Sequence, residues 1–170
     1  MENAMQKTIF SIMIFAIGFS IITASANLTE PLQTVFAMKV STIAKMYQQD
    51  VDNQGQDNPV VLQQYGSPEL QAAMQLEQAY FDREQISCHI GYDVLWSSQD
   101  PDYEQDKQFS VTTQGLVKVS LAQGDDVYYK LSCASVDNKS IDNKAACQVT
   151  DVILDEDGTS LREYLQKNCR

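Results

Sequence analysis

Four cysteines, Cys88, Cys133, Cys147 and Cys169, constrain this chain more than any other feature. An even number in an oxidising compartment reads as two disulfides, for which three connectivities exist. Cys133 and Cys147 flank a polar stretch, Asp137 to Lys144, that reads as a long hairpin loop. Two antiparallel strands leaving that loop would set these two cysteines near each other. Cys88 and Cys169 are then left for one another and would tie the end of the chain back to the body. A disulfide closing a long loop stabilises by ~2–4 kcal/mol, by restricting the unfolded chain. A metal or redox role is disfavoured, because there is no C-x-x-C and only one histidine. No cofactor and no metal ligand set is expected.

The oxidising compartment is itself a sequence reading. Lys7 supplies a positive start, Ile9 to Ile22 is an apolar run, and Ala24-Ser25-Ala26 is an A-x-A cleavage pattern. Residues 1–26 are therefore expected to be a signal peptide, with a single mature domain over 27–170. The competing reading is an uncleaved anchor, since Thr8 to Thr29 carries no charge and is nearly long enough to span a bilayer. No cysteine lies near the cut, so a lipoprotein is not expected. The expected localisation is periplasmic or secreted, with no membrane association once the signal is removed.

Beyond the leader, Phe36, Val40, Ile43 and Tyr47 recur at helical spacing and predict a helix from Pro31 to about Gln49. Asp50 to Pro59 is polar and reads as a loop, and Val60 to Leu62 as a short turn of helix. Ser67 as N-cap and Pro68 at the first helical position open a second helix reaching about Glu84, with Leu70, Ala73, Met74 and Phe81 as its apolar stripe. Ile86 to Trp96 then reads as a strand with a bulge at Gly91. Further strands are expected over Phe109–Thr113, Leu116–Gln123, Val127–Ala134 and Cys147–Leu154. Ser160 and Glu163 have capping-box spacing for a last helix. Helices first, strands next and a short helix last imply an α+β fold, the helices packed on one face of an antiparallel sheet.

Charge narrows the partners. Twelve basic against 23 acidic residues leave a net charge of -11. Binding phosphates needs clustered Lys and Arg, so neither nucleic acid nor an anionic lipid surface is an expected partner. The acidic run from Asp100 to Asp106 fails as an EF-hand, offering Gln105 and Val111 where Gly and Glu are required, and the Asp155 run fails at Tyr164. No nucleophile elbow, P-loop or zinc-protease motif occurs, and no catalytic residue is assigned. His89 follows Cys88 directly, so on a strand the two would point to opposite faces. Aromatic residues are more suggestive: Tyr47, Tyr92, Trp96 and Tyr128, with Asp93, are the candidate ligand-binding set. The alternative for the aromatics is that they fill the core.

Several short motifs carry a family resemblance: Ala44-Lys45-x-Tyr47, Ser67-Pro68-Glu69-Leu70, Tyr92-Asp93-x-Leu95 with Gln99-Asp100, Val149-x-Asp151-Val152 and Gly158-x-Ser160-Leu161-Arg162. Together they resemble an uncharacterised bacterial cell-envelope family of exported proteins and lipoproteins with the nuclear-transport-factor-2-like, cystatin-like superfold. The resemblance implies a curved sheet wrapped on helices as a cone, with Tyr92-Asp93 and Gln99-Asp100 near its mouth, and it supplies no catalytic residue. That superfold hosts enzymes and binding modules alike. Three functions follow: an exported non-catalytic binding protein using the cone pocket or its rim for a small ligand; an inhibitor or immunity protein covering a basic, cell-wall-directed enzyme; and an isomerase- or lyase-type pocket enzyme with Asp93 as base and Tyr92 as donor.

Overall fold

The computed structural model describes residues 30–134, 147–155 and 158–170. The expected signal peptide and the polar stretch within the expected hairpin lie outside them. The described elements run α1 (Glu30–Asn53), α2 (Val61–Tyr65), α3 (Pro68–Glu84), β1 (Lys107–Val111), β2 (Val117–Leu121), β3 (Val127–Cys133), β4 (Cys147–Ile153) and α4 (Leu161–Asn168). The fold is α+β: a four-stranded antiparallel sheet in the order β1-β2-β3-β4, curved and open, with helices from both ends of the chain against it.

Alternation decides which face of the sheet is inside. Val117, Val119, Val127, Tyr129 and Leu131 are buried, while Gln108, Ser110, Lys130 and Ser132 are exposed between their neighbours on the strands. A register shift between Lys130 and Leu131 interrupts β3–β4, opposing Lys130 to Asp151 but Leu131 to Val149. Thr150 is the extra residue, and it lets Val149 and Val152, three apart, both face the core.

Helix α1 lies on that inner face with Ile43, Met46, Tyr47 and Asp50 buried, the i, i+3, i+4, i+7 pattern of one helical stripe. It continues four residues beyond Gln49, so Asp50 belongs to the helix and not to the loop. Helix α3 opens as its sequence demands: the Ser67 hydroxyl accepts from the Leu70 N–H and Pro68 occupies the first turn. Phe81 departs from the expected stripe and is 46% exposed. At α4 the Ser160 hydroxyl accepts from the Glu163 N–H and donates to Asp151 Oδ2 at 2.5 Å, anchoring the helix to β4.

The expected strand over Ile86–Trp96 is absent, and side-chain chemistry explains why. Asp93 Oδ1 accepts from the N–H groups of Leu95 (2.8 Å) and Trp96 (3.3 Å), folding the backbone into a turn instead of leaving it for a ladder. A bridge between Asp93 and Ser98 closes this turn, and Gly91 at φ +85° supplies a left-handed residue just before it. The strand-face argument for separating Cys88 from His89 therefore falls away. Cys88 is instead bonded to Cys169, and Cys133 to Cys147, with Cys133 and Cys147 opposite each other on β3 and β4. Two intramolecular disulfides fit an oxidising, non-cytoplasmic compartment. No helix among the described residues is long and apolar enough to cross a membrane.

Candidate functional site

The interior of the domain is built around Trp96 and Tyr47, neither of which has any exposed surface. Their rings meet edge-on at 5.2 Å, and Tyr103 packs edge-on against Trp96 at 5.4 Å. Each polar tip is satisfied inside. The Tyr47 hydroxyl donates to the Leu95 carbonyl and accepts from Tyr129 at 2.9 Å, and Trp96 Nε1 donates to Asp50 Oδ2 at 2.5 Å. Burial pushes both tyrosine hydroxyls well above their usual range, so they are fixed as neutral groups.

Above this cluster a cleft of about 300 Å³ opens between α1, α2, α3 and the turn after Gly91. Its walls are apolar where Val60, Val61, Leu62, Met74, Val94 and Leu95 line it, and acidic where Asp50, Glu77 and Asp93 do. Burial raises Asp50 above the ordinary carboxylate range, the Trp96 hydrogen bond opposes this, and the charge of Asp93 adds to the rise. Burial likewise raises Asp93, opposed by the two backbone N–H groups that its Oδ1 accepts. His89 also lines the cleft. Its Nδ1 lies 3.1 Å from Glu77 Oε1 and its Nε2 is 2.9 Å from the Tyr92 carbonyl, and the hydrogen bond to Glu77 raises its pKa most. The pair clasps the 86–92 segment onto α3.

The five residues singled out from sequence are thus dispersed. Tyr47 and Trp96 form the core beneath the cleft, their polar tips spent on Leu95, Tyr129 and Asp50. Asp93 lines the cleft itself. Tyr92 borders a small hollow with Asp126 and Leu154, and Tyr128 a larger one of about 360 Å³ with Asp125, Asp126, Leu154 and Asp155. Tyr128 also stacks beneath Lys118, whose ammonium pairs with Asp126.

Asp50, Glu77 and His89 complete the cleft, and two of them carry a signal in the sequence. On α1 the stripe Ile43, Met46, Tyr47 ends in Asp50; on α3 the stripe Leu70, Ala73, Met74 ends in Glu77. An acid at the i+7 place of an apolar stripe must either be paired or line a solvent-filled space. Both acids meet Asp93 in the same cleft. Among the described residues no group of three or more His, Cys, Asp and Glu is arranged to hold a metal ion. Comparison of the chain with protein-family models, with curated proteins and with solved structures finds no match.

Proposed function

We propose that this protein is an exported, non-catalytic binding protein of the cell envelope, periplasmic or secreted, and that its ligand site is the cleft over Trp96. The observation that carries this is the cleft's composition: apolar side chains of α2, α3 and the Asp93 turn with a few convergent carboxylates, braced from behind by the bonds of Trp96 to Asp50 and of Tyr47 to Leu95. The two disulfides and the A-x-A leader support export, and the motif resemblance to the exported, nuclear-transport-factor-2-like family supports the envelope. Asp50 and Asp93 each commit one oxygen to a structural partner, Trp96 and the turn, and His89 is paired with Glu77. That favours holding a ligand in place over transferring its protons.

The test uses a neutral apolar fluorophore, N-phenyl-1-naphthylamine. It should bind saturably at one site and be excluded by Val60→Trp, which fills the mouth from a position 49% exposed and so leaves the thermal midpoint unchanged. Binding unaffected by Val60→Trp would move the site elsewhere. A turnover that collapses in Asp93→Asn with the fold intact would replace the binding reading with the pocket enzyme. Protein purified from its native envelope should begin at Asn27; retention of the apolar leader would mean an anchored protein.

A further inference from the structure

The cleft is not isolated. A second cavity of about 480 Å³ continues from it along α3, and Val60, Met74 and Glu77 line both. The two differ in chemistry. The first is lined by the carboxylates of Asp50 and Asp93; the second is lined by Asn58, Gln63, Gln75 and Gln78, the last with its amide donated to Asp82, beside the half-exposed ring of Phe81. Carboxamides offer a donor and an acceptor together, which is what an extended peptide backbone requires of a surface. Among the described residues neither cavity is lined by a Lys or an Arg, and His89 in the first is paired with Glu77. The groove is therefore acidic toward Asp50 and Asp93 and amide-rich toward Asn58, Gln75 and Gln78, with Glu77 where the two cavities meet.

At the acidic end each aspartate has one oxygen fixed by a hydrogen bond. Asp50 commits Oδ2 to Trp96 and Asp93 commits Oδ1 to the N–H groups of Leu95 and Trp96. The hydrogen bonds of the described residues leave the remaining oxygen of each, Asp50 Oδ1 and Asp93 Oδ2, without a donor. A guanidinium fork recognises both oxygens of a single carboxylate, whereas an ammonium is a compact charge that takes one oxygen from each of two.

We infer that the occupant is an extended peptide segment of a partner protein that inserts a lysine side chain into the first cavity, with its ammonium between Asp50 and Asp93. Its four-carbon stem lies along Val61, Leu62 and Met74, and its backbone follows the carboxamides of the second. A net charge of -11 would speed the approach of a basic partner. The assignment rests on the reading of the cleft as the ligand site, and the experiment separates the two.

Four capped hexapeptides, acetyl-Ala-Ser-Phe-Xaa-Ser-Ala-amide with Xaa as Lys, Arg, Nε-acetyl-lysine or norleucine, are titrated into the full chain. Emission of Trp96, the single tryptophan of the chain, and calorimetry report binding. The lysine peptide should bind at least tenfold tighter than the acetyl-lysine and norleucine peptides, with arginine weaker than lysine. Asp93→Asn keeps the acceptor for the Leu95 N–H; it should cost the lysine peptide at least tenfold and leave the norleucine peptide unchanged. A norleucine peptide binding as tightly as lysine, yet excluded by Val60→Trp, would overturn the lysine assignment while the cleft remained the ligand site. Butylamine binding as tightly as the lysine peptide would overturn the peptide assignment in favour of a free amine. Absence of any binding that Val60→Trp can block would overturn both.

Discussion

Trp96→Phe isolates what holds the floor of the cleft together. Phenylalanine keeps an aromatic ring in a site with no exposed surface but removes the Nε1 donor that reaches Asp50 at 2.5 Å. Loss of a hydrogen bond to a charged partner costs about 1.5–3 kcal/mol. The missing ring atoms leave a void in contact with Tyr47 and Tyr103, for which a further loss of about 1–2 kcal/mol is expected. The sum, about 2.5–5 kcal/mol, is a large part of the ~5–15 kcal/mol that separates an ordinary domain from its unfolded chain. Much of it should be the penalty of an orphaned, mostly buried carboxylate. Asp50→Asn in the Trp96→Phe background should therefore recover part of the loss, so the double variant is less destabilised than the two single effects added. Urea unfolding with the disulfides intact, followed by far-UV circular dichroism, measures all three variants. A Trp96→Phe loss below about 1 kcal/mol, or strict additivity with Asp50→Asn, would refute the argument that this hydrogen bond braces the core.

The remaining predictions concern the staples and the acids. In the chain-entropy picture the Cys88–Cys169 bridge, spanning 81 residues, is worth about 4.5 kcal/mol and the Cys133–Cys147 bridge, spanning 14, about 3. Replacing the first pair by alanine should lower the urea midpoint more than replacing the second. The His89–Glu77 contact raises the histidine, so its stabilisation is complete below the ordinary histidine value of about 6.5 and fades as pH rises through the raised one. His89→Gln should remove that part of the slope in thermal midpoint against pH. Burial raises Asp93 as well, so the folded state keeps its proton longer than the unfolded chain does, and stability falls as pH climbs from the ordinary carboxylate range through the raised value. Relative to Asp93→Asn, the native chain should lose stability across that window; a relative gain would contradict the burial argument.

How much of this was legible depends on how local the cause is. The N-cap Ser67 with Pro68, the Ser160–Glu163 capping box and the period-two strands β1 to β4 are set by neighbours within a few residues, and they lie where the sequence puts them to within two residues. The α+β class follows from the order of those elements. The spacing of Cys133 and Cys147 around a polar loop likewise points to a hairpin, and the structure holds them opposite each other. The 86–96 segment was not legible in this way. Its alternating apolar residues suit a strand, but the Asp93 carboxylate captured the backbone first, and a composition pattern does not register such competition.

The candidate site shows the same division. Composition and periodicity alone set the chain's acidity, its apolar N-terminal run, its four thiols and the helical stripes of Ile43 with Tyr47 and Leu70 with Met74. Long-range packing then sets the rest: α1 and α3 bring Asp50 and Glu77 to the same cleft as Asp93, and Tyr47 and Trp96 lie behind it as core. The physical reason is that periodicity specifies which face of an element is buried but not what lies opposite. Whether an aromatic ring becomes core or cleft wall depends on where its polar tip finds a partner. For Trp96 that partner is a carboxylate 46 residues away, and for Tyr47 a carbonyl 48 residues away. Contacts at that distance form only when the helices close over the sheet.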